Sequence, residues 1–178
     1  MNSPGPVLGF AAFSGTGKTT LLKQLIPLLA GRGVRVSVIK HAHHNFDIDK
    51  PGKDSYELRK AGARQMLVAS GRRWALMTET EGDADPGLDS LIGHLDADGI
   101  DLVLVEGFKH VPFPRIELHR PSLGHSLLHP EDSNIIAVAT DEPVETGGLP
   151  RLDLNNVAAI AEFILAWLEE QNDDARKE

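Results

Sequence analysis

The chain has 178 residues, enough for one domain with a sizeable hydrophobic core. Its 18 Lys and Arg are outnumbered by 26 Asp and Glu, which gives a formal net charge of -8. This balance argues against a protein that coats nucleic acid, because such binding needs surplus basic side chains to neutralise phosphates. The sequence has no cysteine, which excludes disulfides, thiolate zinc sites and cysteine nucleophiles.

The sequence carries no recognisable membrane or export signal. No segment approaches the ~18 to 20 consecutive apolar residues that span a bilayer, and no basic residues precede the first apolar run. We therefore expect a cytoplasmic protein that does not contact a membrane. Because no linker or internal repeat divides the chain, one domain is expected over residues 1–171, followed by a polar tail at residues 172–178.

The first part of the chain predicts a strand, a helix and a second strand. Residues 7–13 form a continuous apolar run, short enough for a strand buried on both faces. Leucines at helical spacing follow, and we expect a kink at Pro27 and an end at Gly31 and Gly33. Residues 34–39 alternate between apolar and polar side chains, as a second strand does.

The middle of the chain predicts a short helix and a hairpin. Asp54 to Glu57 has the pattern of a capping box, which opens a helix that ends near Gly62. Residues 66–69 and 74–77 flank a Ser-Gly-Arg turn, which is typical of a β-hairpin. We expect these two strands to be antiparallel additions to a mostly parallel sheet.

The remaining apolar segments alternate between helix and strand patterns. In chain order they predict a helix at 88–95, a buried strand at 102–105, a short edge strand at 116–118, a buried strand at 135–139, and a last helix capped by Asn155 or Asn156. Such alternation predicts an α/β domain of three layers, with helices on both faces of a mostly parallel sheet. Ligands of such sheets bind at the carboxyl ends of the strands.

A phosphate-binding loop follows the first strand. Residues 12–19 read AFSGTGKT and match the P-loop pattern except at Ala12, where the pattern has glycine. The glycines let the backbone curl around an anion, and the helix that follows adds its free N–H groups and positive dipole end. This predicts a P-loop NTPase-like fold whose nucleotide contacts are Ser14, Gly15, Thr16, Gly17, Lys18, Thr19 and Thr20.

Two acidic residues lie at or after the ends of later strands, one a candidate for binding the metal ion and the other a candidate for contacting the nucleotide base. Glu106 ends the strand at 102–105, where it would join Thr19 in holding Mg²⁺, whereas Asp101 begins that strand and faces the other edge. Gly107 would donate its N–H to the terminal phosphate. Asp141 follows the strand at 135–139, and its carboxylate either accepts two hydrogen bonds from guanine or is an ordinary turn residue.

A loop rich in histidine follows the second strand. His41, His43 and His44 lack the i, i+4 spacing of a helical zinc site, so the sequence disfavours a transition-metal centre. A loop that responds to the nucleotide is the better interpretation, with Lys40 or Lys53 meeting phosphates and Asp47 or Asp49 touching the water shell of the metal. A plain solvated loop is nearly as compatible with the pattern.

Several strings of the sequence resemble one family. SGTGKTTLLKQLIP, IKHAHHNFDIDKPGKDSYELRKAGA, WALMTE and LVLVEGFKH occur in this order, and together they resemble the molybdopterin-guanine dinucleotide biosynthesis adapter (MobB) family. The resemblance implies a homodimer that binds GTP and Mg²⁺ and hydrolyses GTP slowly. It implies a partner, the MobA-type molybdenum cofactor guanylyltransferase, which joins GMP to molybdopterin, and molybdopterin is a further expected ligand. By resemblance, the phosphate and Mg²⁺ residues are Gly15, Gly17, Lys18 and Thr19, and Glu106 matches the family's second acidic motif. We expect Lys18 and Glu106 to act in catalysis.

The alternative from the residues alone is a small-molecule phosphotransferase. Such a kinase needs a cationic lid, and Arg72 and Arg73 are the only arginine pair available for one. No arginine has an evident position as an arginine finger, so hydrolysis is expected to be slow.

Overall fold

The computed structural model describes residues 3–42, 46–80, 82 and 85–177, and the chain forms two compact units. The first unit comprises Met1–His41 and Gly87–Glu178, and the second comprises Ala42–Pro86. The strands of the first unit are β1 (Val7–Ala11), β2 (Val36–Lys40), β5 (Leu102–Glu106), β6 (Arg115–His119), β7 (Ile135–Thr140) and β8 (Arg151–Asp153). Its α-helices are α1 (Lys18–Gly31), α3 (Leu88–Ile92) and α4 (Val157–Ala175). The second unit contains α2 (Asp54–Lys60), β3 (Gln65–Ala69) and β4 (Trp74–Thr78).

The six strands of the first unit form one sheet in the order β2-β5-β1-β6-β7-β8, and every neighbouring pair is parallel. The predicted parallel sheet is therefore confirmed. Of the six strands, β8 alone was not predicted, because its three residues are too few to show the periodicity of a strand. Since all six strands run in one direction, the segments after β1, β2, β5, β6 and β7 emerge at one edge.

Helices cover both faces of this sheet, as predicted for three layers. On one face, α1 and α4 bury leucine, isoleucine and tryptophan side chains against alternate residues of β1, β5, β6 and β7. On the other face, α3 packs with Val103, Val105 and Phe113. Helix α1 continues through Pro27 to Gly31, and the Asn156 side chain caps α4 by accepting the N–H of Ala159. Helix α4 extends to Ala175, within the polar segment predicted as a tail.

The prediction of an edge strand at 116–118 is wrong, because β6 lies between β1 and β7 and all five of its residues are buried. Two of its polar side chains, Arg115 and Glu117, have partners within the fold. Arg115 pairs with Asp132, and both carboxylate oxygens of Glu117 accept backbone N–H groups, those of Leu128 and His129, at 2.7 and 2.9 Å. The alternation of polar and apolar residues along β6 suggests a strand with one face exposed to solvent. In the structure that face is buried, and Arg115 and Glu117 form hydrogen bonds within the protein instead of with water.

The hairpin of the second unit forms as predicted but does not extend the main sheet. Strands β3 and β4 are antiparallel and pair only with each other. The capping box is also displaced by one residue: α2 begins at Asp54, its N-cap is Lys53, and Glu57 reaches back to accept the N–H of Gly52 at 3.2 Å.

Among the described residues, no helix combines the length and apolarity that crossing a bilayer requires.

Candidate functional site

The glycine-rich loop joins β1 to α1 at the carboxyl edge of the sheet. Gly15 and Gly17 have φ of 83° and 100°, a region in which only glycine is unstrained. Gly17 is the N-cap of α1, and no side chain caps this helix among the described residues. The first N–H groups of a 14-residue helix are thus left for another acceptor, which is the property that makes such an end attractive to an anion.

Side chains of the loop divide into one that braces it and several that face solvent. Thr16 is buried, and its hydroxyl donates to the carbonyl oxygen of Phe13 at 2.8 Å, which holds the curl of the loop. Ser14, Thr19 and Thr20 are exposed. A Cβ atom added to Gly15 would meet nothing within 4 Å, so the loop is open to solvent at this residue.

Glu106 sits between two lysines at the end of β5. Its Oε1 lies 3.3 Å from the Lys18 Nζ and 3.5 Å from the Lys40 Nζ, and its Oε2 lies 3.4 Å from the Lys40 Nζ. Lys40 ends β2 and is directly opposite Glu106 in the parallel register. The structure therefore brings together the predicted lysine and the predicted acid, and it adds a second ammonium group to them.

Gly107 continues the chain beyond Glu106 with φ of 102°. A Cβ atom at this position would lie 2.6 Å from the Cβ of His41, so only glycine fits against the end of β2. The His41 ring itself lies against Phe108, with ring centroids 4.9 Å apart. The backbone beside the acid is consequently held by close packing.

Asp141, the expected base reader, is engaged by an arginine that the sequence did not indicate. Arg120 Nη1 donates to Asp141 Oδ2, and Arg120 Nε donates to the carbonyl oxygen of Thr16 at 3.0 Å. The other oxygen of Asp141 is buried and accepts no hydrogen bond from the described residues. Arg120 therefore joins the phosphate loop to the end of β7, and no arginine was expected at this loop.

A cavity of about 390 Å³ opens beside Asp141 at the carboxyl ends of β7 and β8. Its polar lining includes Arg151, Asp153 and Asn155. The loop, Glu106, Lys40 and this cavity all lie along one edge of the sheet. The position matches the edge at which open parallel sheets bind ligands.

The histidine-rich segment gives no metal centre within the described residues: no group of three or more His, Asp or Glu there is arranged to hold an ion. His43 and His44 lie outside the described residues. Asp47, expected near the metal's water shell, instead pairs with the guanidinium of Arg59, whose hydrogen bond lowers the pKa of the Asp47 carboxyl. Asp49 accepts a hydrogen bond from the Ser55 hydroxyl at 3.0 Å.

Arg120 could have been found from the sequence by one signal. It directly follows β6, and the residue after a parallel strand lies at the ligand edge. The predicted strand at 116–118 ends one residue before β6 does, so the sequence placed His119 rather than Arg120 directly after the strand. Lys40 was among the candidates for phosphate contact, but its pairing with Glu106 depends on the strand register, which the sequence does not show.

Known proteins share both the sequence and the fold of this chain. A family model described as "Molybdopterin guanine dinucleotide synthesis protein B" (MobB) matches residues 7–141. The molybdopterin-guanine dinucleotide biosynthesis adapter proteins of Escherichia coli and Haemophilus influenzae are 53% and 49% identical to it, over 94% of this chain in each case and 95% and 92% of theirs. A crystal structure of molybdopterin-guanine biosynthesis protein B is 29% identical, has a TM-score of 0.69, and is aligned over 90% of this chain and 99% of its own. The Bacillus subtilis MobB structure is 25% identical, with a TM-score of 0.68 over 88% of this chain and 96% of its own. From the site at the sheet edge and these matches together, we conclude that the chain belongs to the MobB family.

Proposed function

We propose that this chain is a GTP-binding adapter that assists the attachment of GMP to molybdopterin, with the MobA-type molybdenum cofactor guanylyltransferase as its partner. The observation that carries the proposal is the uncapped, glycine-rich start of α1 beside the Lys18–Glu106 pair. The names of the relatives supply the pathway. The small-molecule kinase has less support, since Arg72 and Arg73 lie in the turn between β3 and β4.

The residues of the loop fit a nucleoside triphosphate with Mg²⁺. The loop is open at Gly15, and no side chain among the described residues caps the first N–H groups of α1. Lys18 supplies a positive charge for the β- and γ-phosphates, while the exposed Thr19 hydroxyl and the Glu106 carboxylate supply the oxygen ligands that Mg²⁺ prefers. The ion would neutralise charge on the phosphates. Gly107 would offer its N–H at the far end of the phosphate chain.

Asp141 gives the proposed preference for guanine. Guanine presents two adjacent donors, and adenine does not, so a carboxylate favours GTP over ATP. One Asp141 oxygen already accepts a bond from Arg120, and the second is buried and accepts no hydrogen bond from the described residues. We propose that the cavity beside Asp141 receives the base, and that full contact with guanine requires Arg120 to release this carboxylate.

Titration calorimetry with GTP and ATP, each with and without Mg²⁺, tests this proposal. GTP should bind more tightly than ATP, and Lys18→Ala should weaken GTP binding at least tenfold, because a charge-assisted hydrogen bond to phosphate contributes about 1.5–3 kcal/mol. Lys177→Ala removes an equal charge at the end of α4 and should leave binding unchanged. Tighter binding of ATP would overturn the guanine assignment, and an unaltered Lys18→Ala affinity would overturn the phosphate site.

We further propose that the hairpin of the second unit pairs two copies of the chain. An isolated two-stranded hairpin is only marginally stable in water unless its apolar side chains pack against another surface. Both faces of this hairpin are apolar. Leu67, Trp74 and Leu76 are exposed on one face and Val68 on the other, with Trp74 as much as 66% exposed. A second copy would cover this surface. Sedimentation should show a dimer that Trp74→Lys converts to monomer, and a wild-type monomer at micromolar concentration would contradict the proposal.

Slow Mg²⁺-dependent hydrolysis of GTP and a cytoplasmic location complete the proposal. Arg120, the arginine described at the loop, follows β6 on one side of β1, whereas Gly107, proposed to meet the last phosphate, follows β5 on the other side. Without an arginine free to stabilise the transition state, rates are lower by about 10³ to 10⁵. Release of phosphate from GTP, measured at saturating protein, tests this expectation, and fast turnover by the isolated chain would contradict it.

A further inference from the structure

One oxygen atom of the protein touches both lysines of the site. Glu106 Oε1 lies 3.3 Å from the Lys18 Nζ and 3.5 Å from the Lys40 Nζ. The position of this atom shows that a single anionic oxygen can contact two ammonium groups here. A phosphate oxygen carries the same kind of charge and lone pairs as this carboxylate oxygen.

We propose that Lys40 is a second phosphate-binding lysine, which contacts the terminal phosphate of the bound nucleotide and so distinguishes a nucleoside triphosphate from a diphosphate. Glu106 holds Lys40 beside the loop until that phosphate arrives. The inference rests on the proposed nucleotide site. It adds a specificity-determining residue to that site: Lys40 pairs with Glu106 in the free protein and with the terminal phosphate in the complex.

The order of the strands places Lys40 at the end of the phosphate chain farthest from the base. Asp141 and the cavity follow β7, the loop follows β1, Glu106 ends β5 and Lys40 ends β2. In the sheet these strands stand in the order β7, β6, β1, β5, β2. A nucleotide with its base at β7 and its phosphates at the loop therefore directs its last phosphate towards β5 and β2.

The Lys40 contact with Glu106 is suited to exchange. The Lys40 side chain is 62% exposed, whereas the Glu106 side chain is only 18% exposed. Exposed ion pairs contribute little to stability, because water competes for both charges. Lys40 can therefore leave Glu106 at small cost, and three N–H donors on its ammonium group are then available to phosphate oxygens.

A purely structural role explains less of this arrangement. Backbone pairing already joins β2 to β5 from Val36 to Lys40, so the strand ends need no surface ion pair. Glu106 also has the nearer Lys18 as a partner for Oε1. A second lysine on the same carboxylate concentrates positive charge beside the loop, and that charge is what a third phosphate requires.

Calorimetric titration with GDP and with the non-hydrolysable analogue guanosine 5′-(β,γ-imido)triphosphate tests the inference. We expect Lys40→Ala to weaken binding of the triphosphate about tenfold to a hundredfold and to change GDP binding less than twofold. Lys40→Arg should restore most of the triphosphate affinity, because it keeps the charge. Lys177→Ala is the matched control and should alter neither ligand.

The outcomes separate this inference from the function on which it rests. If Lys18→Ala abolishes binding of both nucleotides and Lys40→Ala affects neither, or affects both equally, the role of Lys40 is refuted and the phosphate site stands. If Lys18→Ala has no effect, the phosphate site itself is refuted, and the role of Lys40 falls with it. Lys40→Gln, with thermal unfolding measured in parallel, replaces Lys40→Ala should that variant be misfolded.

Discussion

Replacing Arg120 with alanine removes the side chain that joins the phosphate loop to the end of β7. Arg120 donates to the Thr16 carbonyl oxygen and to Asp141 Oδ2, and its Nη2 lies 3.5 Å from Asn155 Oδ1. After the replacement, the Asp141 carboxylate, 18% exposed, would keep its charge and lose its partner. Arg120→Ala should therefore destabilise the protein as well as loosen the loop.

The size of this effect follows from the bonds that are lost. Net hydrogen bonds to charged groups contribute about 1.5–3 kcal/mol, and a largely buried group left without a partner costs about 1–3 kcal/mol. Allowing for partial exposure of the Arg120 side chain, we expect Arg120→Ala to lower the free energy of unfolding by about 2–4 kcal/mol. Asp141→Asn keeps the shape of the side chain and should cost about 1–2 kcal/mol.

Urea denaturation of wild type, both single variants and the double variant measures the coupling between the two residues. Because they are in direct contact, the loss in the double variant should fall short of the sum of the single losses by about 1–2 kcal/mol. The exposed Arg176–Asp173 pair, 3.8 Å apart, provides a matched cycle in which no coupling is expected. Losses for Arg120 and Asp141 that add to within about 0.5 kcal/mol would refute the bridge.

Further predictions concern the acid, a surface ion pair and the second unit. Glu106→Gln removes a negative charge beside the phosphates, so the affinity for the triphosphate measured in EDTA should rise. The change also removes a ligand of Mg²⁺, so adding Mg²⁺ should no longer increase that affinity; an increase as large as in the wild type would contradict the assignment. The hydrogen bond from Arg35 lowers the pKa of Asp101 to about 2, so its stabilisation is present above about pH 4 and lost towards pH 2. Asp101→Asn should therefore lower the Tm by about 1–3 °C at pH 6 and not at pH 2; a constant difference would refute the assignment. The buried Arg59 of α2 pairs with Asp47 and with Glu79, the residue after β4, so Arg59→Met should speed amide exchange in α2 and the hairpin but not in α1; unchanged exchange would show that these ion pairs do not stabilise the second unit.

Local patterns in the sequence were sufficient for most of the fold. Apolar runs predicted β1, β5 and β7 because strands buried on both faces have no polar alternation. The phosphate loop was predictable because glycine spacing, the lysine and the neighbouring apolar segments are all local features. Strand ends moved by one or two residues, as between the predicted 7–13 and the observed Val7–Ala11.

What the sequence did not reveal depends on partners far away along the chain. The expected edge strand at 116–118 is an inner strand, and the side chains of Arg115 and Glu117 find partners at Asp132, Leu128 and His129, which lie 11 to 17 residues further on. Arg120 meets the loop at Thr16, 104 residues earlier. The two apolar runs and the turn between them predict that β3 and β4 pair, but they do not indicate whether the pair joins a larger sheet.

The tight fit of Gly107 against His41 constrains how this site can vary through evolution. Glu106 and Lys40 flank that contact on adjacent strands, so a methyl group added at Gly107 would push the two strand ends apart and alter their spacing without changing either residue. Lineages that drift at Gly107 should therefore carry a compensating change at His41. Loss of this glycine in a distant relative would be a sign that the relative has abandoned the charge arrangement at the sheet edge.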